Sequence, residues 1–347
     1  MATVAVMGAT GAVGRELLAT LERRRFPVEA LRLLASERST GGRMTFRGED
    51  HAVELLTENA FEGVDLVLAS AGASVSRRFA PAAVEAGAVV VDNTSAFRME
   101  PGVPLVVPEI NAGRVAEHRG IVANPNCSTI LMLMAVAPIH RAVGVKRIVV
   151  STYQAASGAG QAAMEELLEH TRLVLASQAT PPARRFAHSL AFNCLPHIDV
   201  FLDNGYTREE MKMVHETRKI LEDETIGVTS TTIRVPVLRC HSASINLETR
   251  RKLAPEAARR LLETAAGVVV ADDPTRHLYP MATTVQGRDE VFVGRIREDE
   301  SIPNGLNLWV VGDQLLKGAA LNAVQIAEIL LKQGLPARGR REGVPSL

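Results

Sequence analysis

Thr3-Val-Ala-Val-Met-Gly8-Ala-Thr-Gly11-Ala-Val-Gly14 decides the fold. Residues 3–7 are apolar or β-branched and read as a strand. Residues 11–24 carry Val13, Leu17, Leu18 and Leu21 at helical intervals and read as a helix. Between them the glycines fall in a GxxGxxG spacing. A strand that turns on glycine into a helix lets a pyrophosphate approach the backbone, where the helix N-terminus offers free N–H groups and a positive dipole end. The commoner GxGxxG spacing is absent, and an ordinary glycine turn is the competing reading. Position at the first strand–helix junction favours the dinucleotide one.

Outward from this turn, residues 31–35, 64–70 and 88–91 read as further strands and 76–86 as a helix. Continuous apolar strands separated by helices describe a parallel sheet covered on both faces. The run 120–123 leads through Asn124-Pro-Asn126 into the apolar stretch 130–139. After residue 148 the pattern changes. Residues 231–238, 242–248 and 289–297 alternate, which describes a mixed or antiparallel sheet with helices on one face. Residues 176–185, with paired prolines, read as a surface loop, and 315–331 as one helix apolar nearly all round, buried against the first domain. The fold class is α/β: a Rossmann-type parallel-sheet domain plus an α+β domain with a mixed sheet.

Composition bounds the function. A chain of 347 residues with 46% hydrophobic and 22% charged residues can bury the cores of two domains. Lys plus Arg and Asp plus Glu both total 39, so no global basic field holds nucleic acid or an anionic membrane. Aromatics, at 4%, are too few for base-stacking platforms or membrane belts. No apolar run reaches the ~18 residues of a membrane span. The first residues have no basic start and meet glycine too early for a signal peptide, so the expected location is cytoplasmic. Three cysteines with no CxxC fit a reducing compartment rather than a disulfide framework.

Cys127 lies in Asn124-Pro-Asn-Cys-Ser-Thr129, where a strand gives way to a helix. A thiol there has its thiolate stabilised by the dipole and the unpaired N–H groups, as an acyl-transfer nucleophile requires. A cysteine in an apolar protein is more often a small buried hydrophobe, and Cys194 and Cys240 are assigned to that class, Cys240 on a strand. Of nine histidines only His241 stands out, beside Cys240. His215-Glu216 is followed by Lys219 where HExxH needs a second histidine, so no metal site is expected. At the adenine-ribose end, residues 35–41 read Ala-Ser-Glu-Arg-Ser-Thr-Gly. Ser36, Arg38, Ser39 and Thr40 suit the 2′-phosphate of NADP, whereas Glu37 would suit NAD. NADP is favoured.

Several motifs occur in a fixed order: Asp92-Asn-Thr-Ser-Ala-Phe-Arg98, Val107-Pro-Glu-Ile-Asn111, the Cys127 segment and Ser151-Thr-Tyr-Gln-Ala-Ala-Ser-Gly-Ala-Gly160. Glu209-Glu-Met-Lys212, Arg234-Val-Pro-Val-Leu-Arg-Cys-His241 and Trp309-Val-Val-Gly-Asp-Gln-Leu-Leu-Lys-Gly-Ala-Ala320 follow. With them the chain resembles, over essentially its whole length, the aspartate-semialdehyde dehydrogenases of the bacterial type. The resemblance implies an NADP-binding Rossmann domain at 1–126 completed by the helix 314–334 and a catalytic and dimerisation domain at 127–313; the last residues, 335–347, rich in Arg, Gly and Pro, read as a flexible tail. It implies reversible, NADP-dependent conversion of L-aspartate 4-semialdehyde plus phosphate to L-4-aspartyl phosphate, a step towards lysine, threonine and methionine. The assembly would be a homodimer or homotetramer.

Residue by residue, the resemblance makes Cys127 the nucleophile that carries a thioester, His241 the general acid/base and Gln154 the residue that orients the substrate. Arg234 would grip the substrate α-carboxylate and Glu209 its ammonium group; Arg98, Asn126 and Lys212 would bind phosphate. Gly8, Thr10, Gly11, Ala12, Val13 and Gly14, with Ser157, Gly158 and Gln314, would contact the cofactor. Glu209 and Lys212, three apart on a helix, share a face. An N-acetyl-glutamyl-phosphate reductase would give Glu209 no ammonium to bind. For a glyceraldehyde phosphate dehydrogenase the surroundings of Cys127 and Gln154 are wrong. A dinucleotide-sensing scaffold has no use for a nucleophile.

Overall fold

A computed structural model describes residues 1–334, and the tail expected at 335–347 lies outside the described residues. The chain divides into two units, one of Met1–Pro125 with the segment returning from Ala320, the other of Asn126–Ala319.

The first unit begins with β1 (Ala2–Met7), α1 (Ala12–Arg23), β2 (Val28–Ala35), the pair β3 (Arg43–Phe46) and β4 (Glu49–Leu55), then β5 (Leu66–Ala69), α2 (Ala73–Glu85), β6 (Val89–Asp92), the single turn α3 (Pro108–Asn111) and β7 (Ile121–Ala123). These strands form one sheet in the order β3-β4-β2-β1-β5-β6-β7, parallel except for the antiparallel edge pair β3–β4. Alternate residues of β1 feed different cores: Val4 and Val6 meet Leu17 and Leu21, while Ala5 and Met7 meet Phe79 and Ala83. Both faces are buried, which is why the strands read as continuous apolar runs.

The chain leaves β1 towards β2 on one side and reaches β5 on the other, so a crevice opens beyond the carboxyl end of β1. Gly8 to Gly14 fill it. Gly8 has φ 88°, and a Cβ there would lie 2.8 Å from the carbonyl oxygen of Ser70. A Cβ at Gly14 would run into the carbonyl oxygens of Gly8 and Ala9, so only glycine lets the helix lie this close to the strand.

The second unit contains α4 (Cys127–Val143), β8 (Val145–Gln154), α5 (Gln161–Leu175), α6 (Arg208–Leu221), β9 (Gly227–Arg234), β10 (His241–Thr249), α7 (Pro255–Glu263), β11 (Val268–Val270), the short α8 (Ala282–Val285), β12 (Val291–Asp299) and β13 (Gly305–Gly312). Its sheet runs β11-β12-β13-β10-β8-β9 and is mixed, with β8–β9 and β11–β12 parallel and the other pairs antiparallel. Helix α4, apolar on nearly every side, packs on this sheet and also against α6. The chain then returns to the first unit through α9 (Leu321–Gln333), where Val324, Ala327 and Leu330 join the core around Leu17 and Leu21.

Four expectations need correction. The strand expected at 231–238 ends at Arg234, because Pro236 has no N–H to continue a ladder and Val237 N–H instead bonds back to Val235 O at 2.8 Å. The single helix expected at 315–331 is a π-helical turn, Leu316–Ala320, followed by α9. Cys240 precedes β10 rather than lying on a strand, in the left-handed region with φ 76°. Cys194 is exposed, on an irregular loop whose Asn193 side chain accepts from the Cys194 N–H. Among the described residues no helix is long and apolar enough to cross a membrane.

Candidate active site

The site in the second unit starts at Asn126. Its side-chain oxygen accepts from Thr129 N–H at 3.1 Å and its carbonyl from Ile130 N–H at 2.9 Å, so Asn126 caps α4 and Cys127 becomes the first helical residue. The half-buried Cys127 therefore sits at the positive end of the helix. On its other side is Gly318, where a Cβ would stand 2.8 Å from the Cys127 Cβ; any larger residue there would displace the thiol.

Helix α6 supplies the charged centre. It opens with a capping box, Thr207 with Glu210, which aims Glu209 and Lys212 inward. Glu209 Oε1 accepts from Asn126 Nδ2 at 2.9 Å and Gln154 Nε2 at 3.3 Å, and Oε2 from Lys212 Nζ at 2.9 Å. Burial pushes the Glu209 carboxyl up, but Lys212 and the amide donors outweigh it and hold the group below the usual carboxylate range. Lys212 also donates to Asp199 Oδ2 at 2.9 Å. Burial alone would lower its pKa, yet Glu209 and Asp199 between them raise it.

β8, β9 and β10 bring three more groups together. Gln154 and Arg234 end their strands side by side, paired in the β8–β9 register, and His241 begins β10. Ala155 N–H donates to His241 Nδ1 at 3.0 Å, so the neutral ring carries its proton on Nε2, which lies 3.5 Å from Gln154 Nε2. Burial, with the Arg234 charge added, keeps the imidazole's pKa well below 6.5. At neutral pH His241 is an uncharged hydrogen-bond donor. Arg234 Nη1 donates to Ala155 O at 2.7 Å. Burial lowers its pKa, against the pull of Glu209 and Cys127. Gly158 makes room for this pair: a Cβ there would stand 2.8 Å from Arg234 Nη1 and 3.1 Å from His241 Nε2. Gln314 Nε2 donates to Ser157 Oγ, and its Oε1 accepts from Cys240 N–H at 2.9 Å.

The remaining expected residues belong to the first unit. Gly11 caps α1 without any side-chain hydrogen bond, which leaves the N–H groups of Ala12 and Val13 for a phosphate. Thr10 Oγ1 donates to Ser39 Oγ at 3.3 Å, joining the glycine turn to the single 3₁₀ turn Glu37–Ser39 after β2. Ser36, Glu37, Arg38 and Thr40 are exposed around it. The cradle fits a dinucleotide, and the exposed Arg38 guanidinium beside it fits an extra phosphate. Arg98 is buried, its Nε donating to Asn124 O at 2.9 Å and Nη2 to Asn93 O at 3.1 Å.

Two residues were missed. Asp199, the second partner of Lys212, stands on an irregular loop with φ 69° and leaves no sequence signal. Glu216 lies on α6 and accepts from the backbone N–H of Asn126 at 2.6 Å. Its signal was available: seven residues from Glu209 is about two helical turns, hence one face. Among the described residues no group of three or more His, Cys, Asp or Glu could hold a metal ion.

A dinucleotide-type unit and a mixed-sheet unit with a capped thiol describe the class, an aldehyde dehydrogenase. Family models for semialdehyde dehydrogenase match residues 3–118, as the NAD binding domain, and 136–317, as the dimerisation domain. The aspartate-semialdehyde dehydrogenase of Aquifex aeolicus is 54% identical over 335 residues, 96% of this chain and 98% of that one. The crystal structure of aspartate semialdehyde dehydrogenase II from Vibrio cholerae, complexed with ASA, superposes with a TM-score of 0.92 at 47% identity, over 96% of this chain and 99% of that one. The enzyme from Candida albicans, solved with NADP, gives a TM-score of 0.75 at 26% identity, over 95% of this chain and 99% of that one. The chain belongs to the aspartate-semialdehyde dehydrogenase family.

Proposed function

We propose that this chain converts L-aspartate 4-semialdehyde and phosphate to L-4-aspartyl phosphate, reversibly and with NADP, through a thioester on Cys127. The observation that carries the reading is a thiol at a helix N-terminus whose capping residue is bonded to Glu209, itself joined to Gln154 and Lys212. Relatives complexed with ASA and with NADP support it. In the cell the reductive direction, a step in making lysine, threonine and methionine, is the expected one.

The thiolate attacks the aldehyde carbon, a C–S bond forms, and the carbonyl oxygen becomes an alkoxide. His241, the general acid/base, enters here as the acid: its Nε2–H donates a hydrogen bond to that oxygen, and Gln154 orients the carbon. The chemistry that bound NADP supplies is hydride acceptance from this carbon, which leaves the thioester. Phosphate oxygen then adds to the carbonyl; the second alkoxide collapses, the C–S bond breaks and Cys127 leaves as thiolate. Arg234 holds the substrate carboxylate, Glu209 the ammonium group, and Arg98, Asn126 and Lys212 the phosphate. Residues 1–126 with the returning helix α9 would bind NADP through Gly8 to Gly14, Ser36, Arg38, Ser39 and Thr40, with Ser157, Gly158 and Gln314 at the nicotinamide end.

We further propose a homodimer formed by the second unit. One face of its sheet carries α4, while Tyr153, Ser242, Ser244 and Trp309 line an apolar concavity of about 600 Å³ that a second copy would cover. A cytoplasmic setting suits the three free thiols.

Initial rates test the reading: NADP reduction should require both aspartate semialdehyde and phosphate. Turnover that prefers an N-acetylated semialdehyde, or that ignores phosphate, would sink it. Arg38→Ala should raise the KM for NADP far more than that for NAD, because Arg38 is exposed beside Ser39 and can reach a 2′-phosphate. Equal effects on both cofactors would hand the specificity to Glu37.

A further inference from the structure

We infer that Glu216 is the positioning residue of the nucleophile: its carboxyl holds the backbone N–H directly before Cys127, and that bond aligns the thiol with the first turn of α4. The inference rests on the reading of Cys127 as the residue that forms the thioester.

Glu216 is only 1% exposed, and its Oε2 lies 2.6 Å from Asn126 N. Helix α6 therefore grips Asn126 at two points, the side-chain amide through Glu209 and the main chain through Glu216. Helix α4 grips it at two more, Thr129 N–H on the side-chain oxygen and Ile130 N–H on the carbonyl. Every polar atom of the residue before Cys127 is thus held, half of them from a separate helix. Glu209 also bonds Gln154 and Lys212 and so faces the substrate groups, whereas Glu216 Oε2 reaches the main chain of Asn126. Placing a carboxyl in the interior is unfavourable unless hydrogen bonds compensate it. A thiolate at a helix N-terminus depends on N–H groups that point at sulfur, and these turn with Asn126. Glu216 fixes that direction.

The test compares Glu216→Ala with Glu216→Gln in the full-length protein. Both remove the same carboxyl, but only Gln keeps an oxygen that can accept from Asn126 N–H. Iodoacetamide labelling of Cys127 is followed across pH, with steady-state rates alongside. A first measurement on the parent, one label on Cys127 with loss of turnover, checks the nucleophile itself and separates a failure of that reading from a failure of this one. A carboxyl carries no positive charge, so removing it cannot disfavour the thiolate electrostatically. A labelling profile displaced to higher pH in Glu216→Ala therefore reports lost alignment, not lost charge. We expect that displacement, a fall in kcat of about tenfold, the size of one buried hydrogen bond to a charged group, and little change in the aldehyde KM. Glu216→Gln should restore both readouts. Where Glu216→Ala does not fold, Glu216→Asp serves in its place, since it keeps the charge but withdraws the oxygen by one methylene. Parental labelling and kcat in the Ala or Asp variant would overturn the inference, as would a Gln variant as impaired as they are.

Discussion

Cys127→Ser is expected to fold like the parent and to lose on the order of 10³-fold or more in kcat. The exchange of sulfur for oxygen changes little volume at a half-buried position, and the cap at Asn126 uses no atom of the Cys127 side chain. A serine hydroxyl, however, has no alkoxide available near neutral pH, and a helix dipole cannot make up the difference. The other thiols cannot substitute. Burial and Asp313 push the Cys240 thiol up to about 12, so it stays protonated, and Cys194, exposed on an irregular loop, lacks the helix N-terminus that supports a thiolate at Cys127. Enzyme mixed with aldehyde and NADP in the absence of phosphate should accumulate an acyl adduct, and mass spectrometry should find it on the Cys127 peptide. An active serine variant, or an adduct on Cys194 or Cys240, would remove Cys127 from the centre of the mechanism.

Local chemistry was legible in the sequence; partners brought from a distance were not. The glycine turn could be read because strand, turn and helix are contiguous and each glycine answers to a neighbour in the chain. The helix start at Cys127 could be read because its cap, Asn126, is the preceding residue. Glu209 and Lys212 could be paired by helical spacing, although only the structure shows that the pair is buried rather than solvated. Asp199 could not be found, since nothing periodic marks a loop residue whose side chain reaches Lys212. Glu216 was visible as a helix-face neighbour of Glu209, but its target lies 90 residues earlier. Cys194 was misread for a related reason: burial of a lone cysteine depends on what packs over its loop, which composition does not record. The π-helical turn before α9 was hidden because an apolar run looks alike in either helix form.

Arg234→Lys is expected to lower kcat/KM for aspartate semialdehyde roughly ten- to a hundredfold, the cost of one or two bonds to a charged group, and to leave the KM for phosphate nearly unchanged. Both ligands are oxyanions, so charge alone cannot sort them; geometry can. A planar carboxylate matches the guanidinium fork, whereas tetrahedral phosphate accepts a point charge equally well. Arg234 is fixed for this task. It ends β9, its Nη1 is held by Ala155 O at 2.7 Å, and its plane lies over Phe186 at 5.9 Å. Lysine keeps the charge and loses the fork. Lys212 answers differently. Of the three donors an ammonium carries, Asp199 and Glu209 engage two, which leaves one for a phosphate oxygen. Lys212→Ala should therefore raise the phosphate KM first. It also removes the charge that offsets burial of Glu209, so the Glu209 carboxyl should move up from its depressed value. Binding of the substrate ammonium, intact at neutral pH, should then fail as pH falls into the carboxylate range, earlier than in the parent. Glu209→Gln should penalise aspartate semialdehyde at every pH and spare a deaminated analogue. Initial-rate constants for aldehyde and phosphate in the three variants, taken across pH, decide the matter. If Arg234→Lys weakens phosphate as much as aldehyde, the two anions share one site and the fork does not tell them apart.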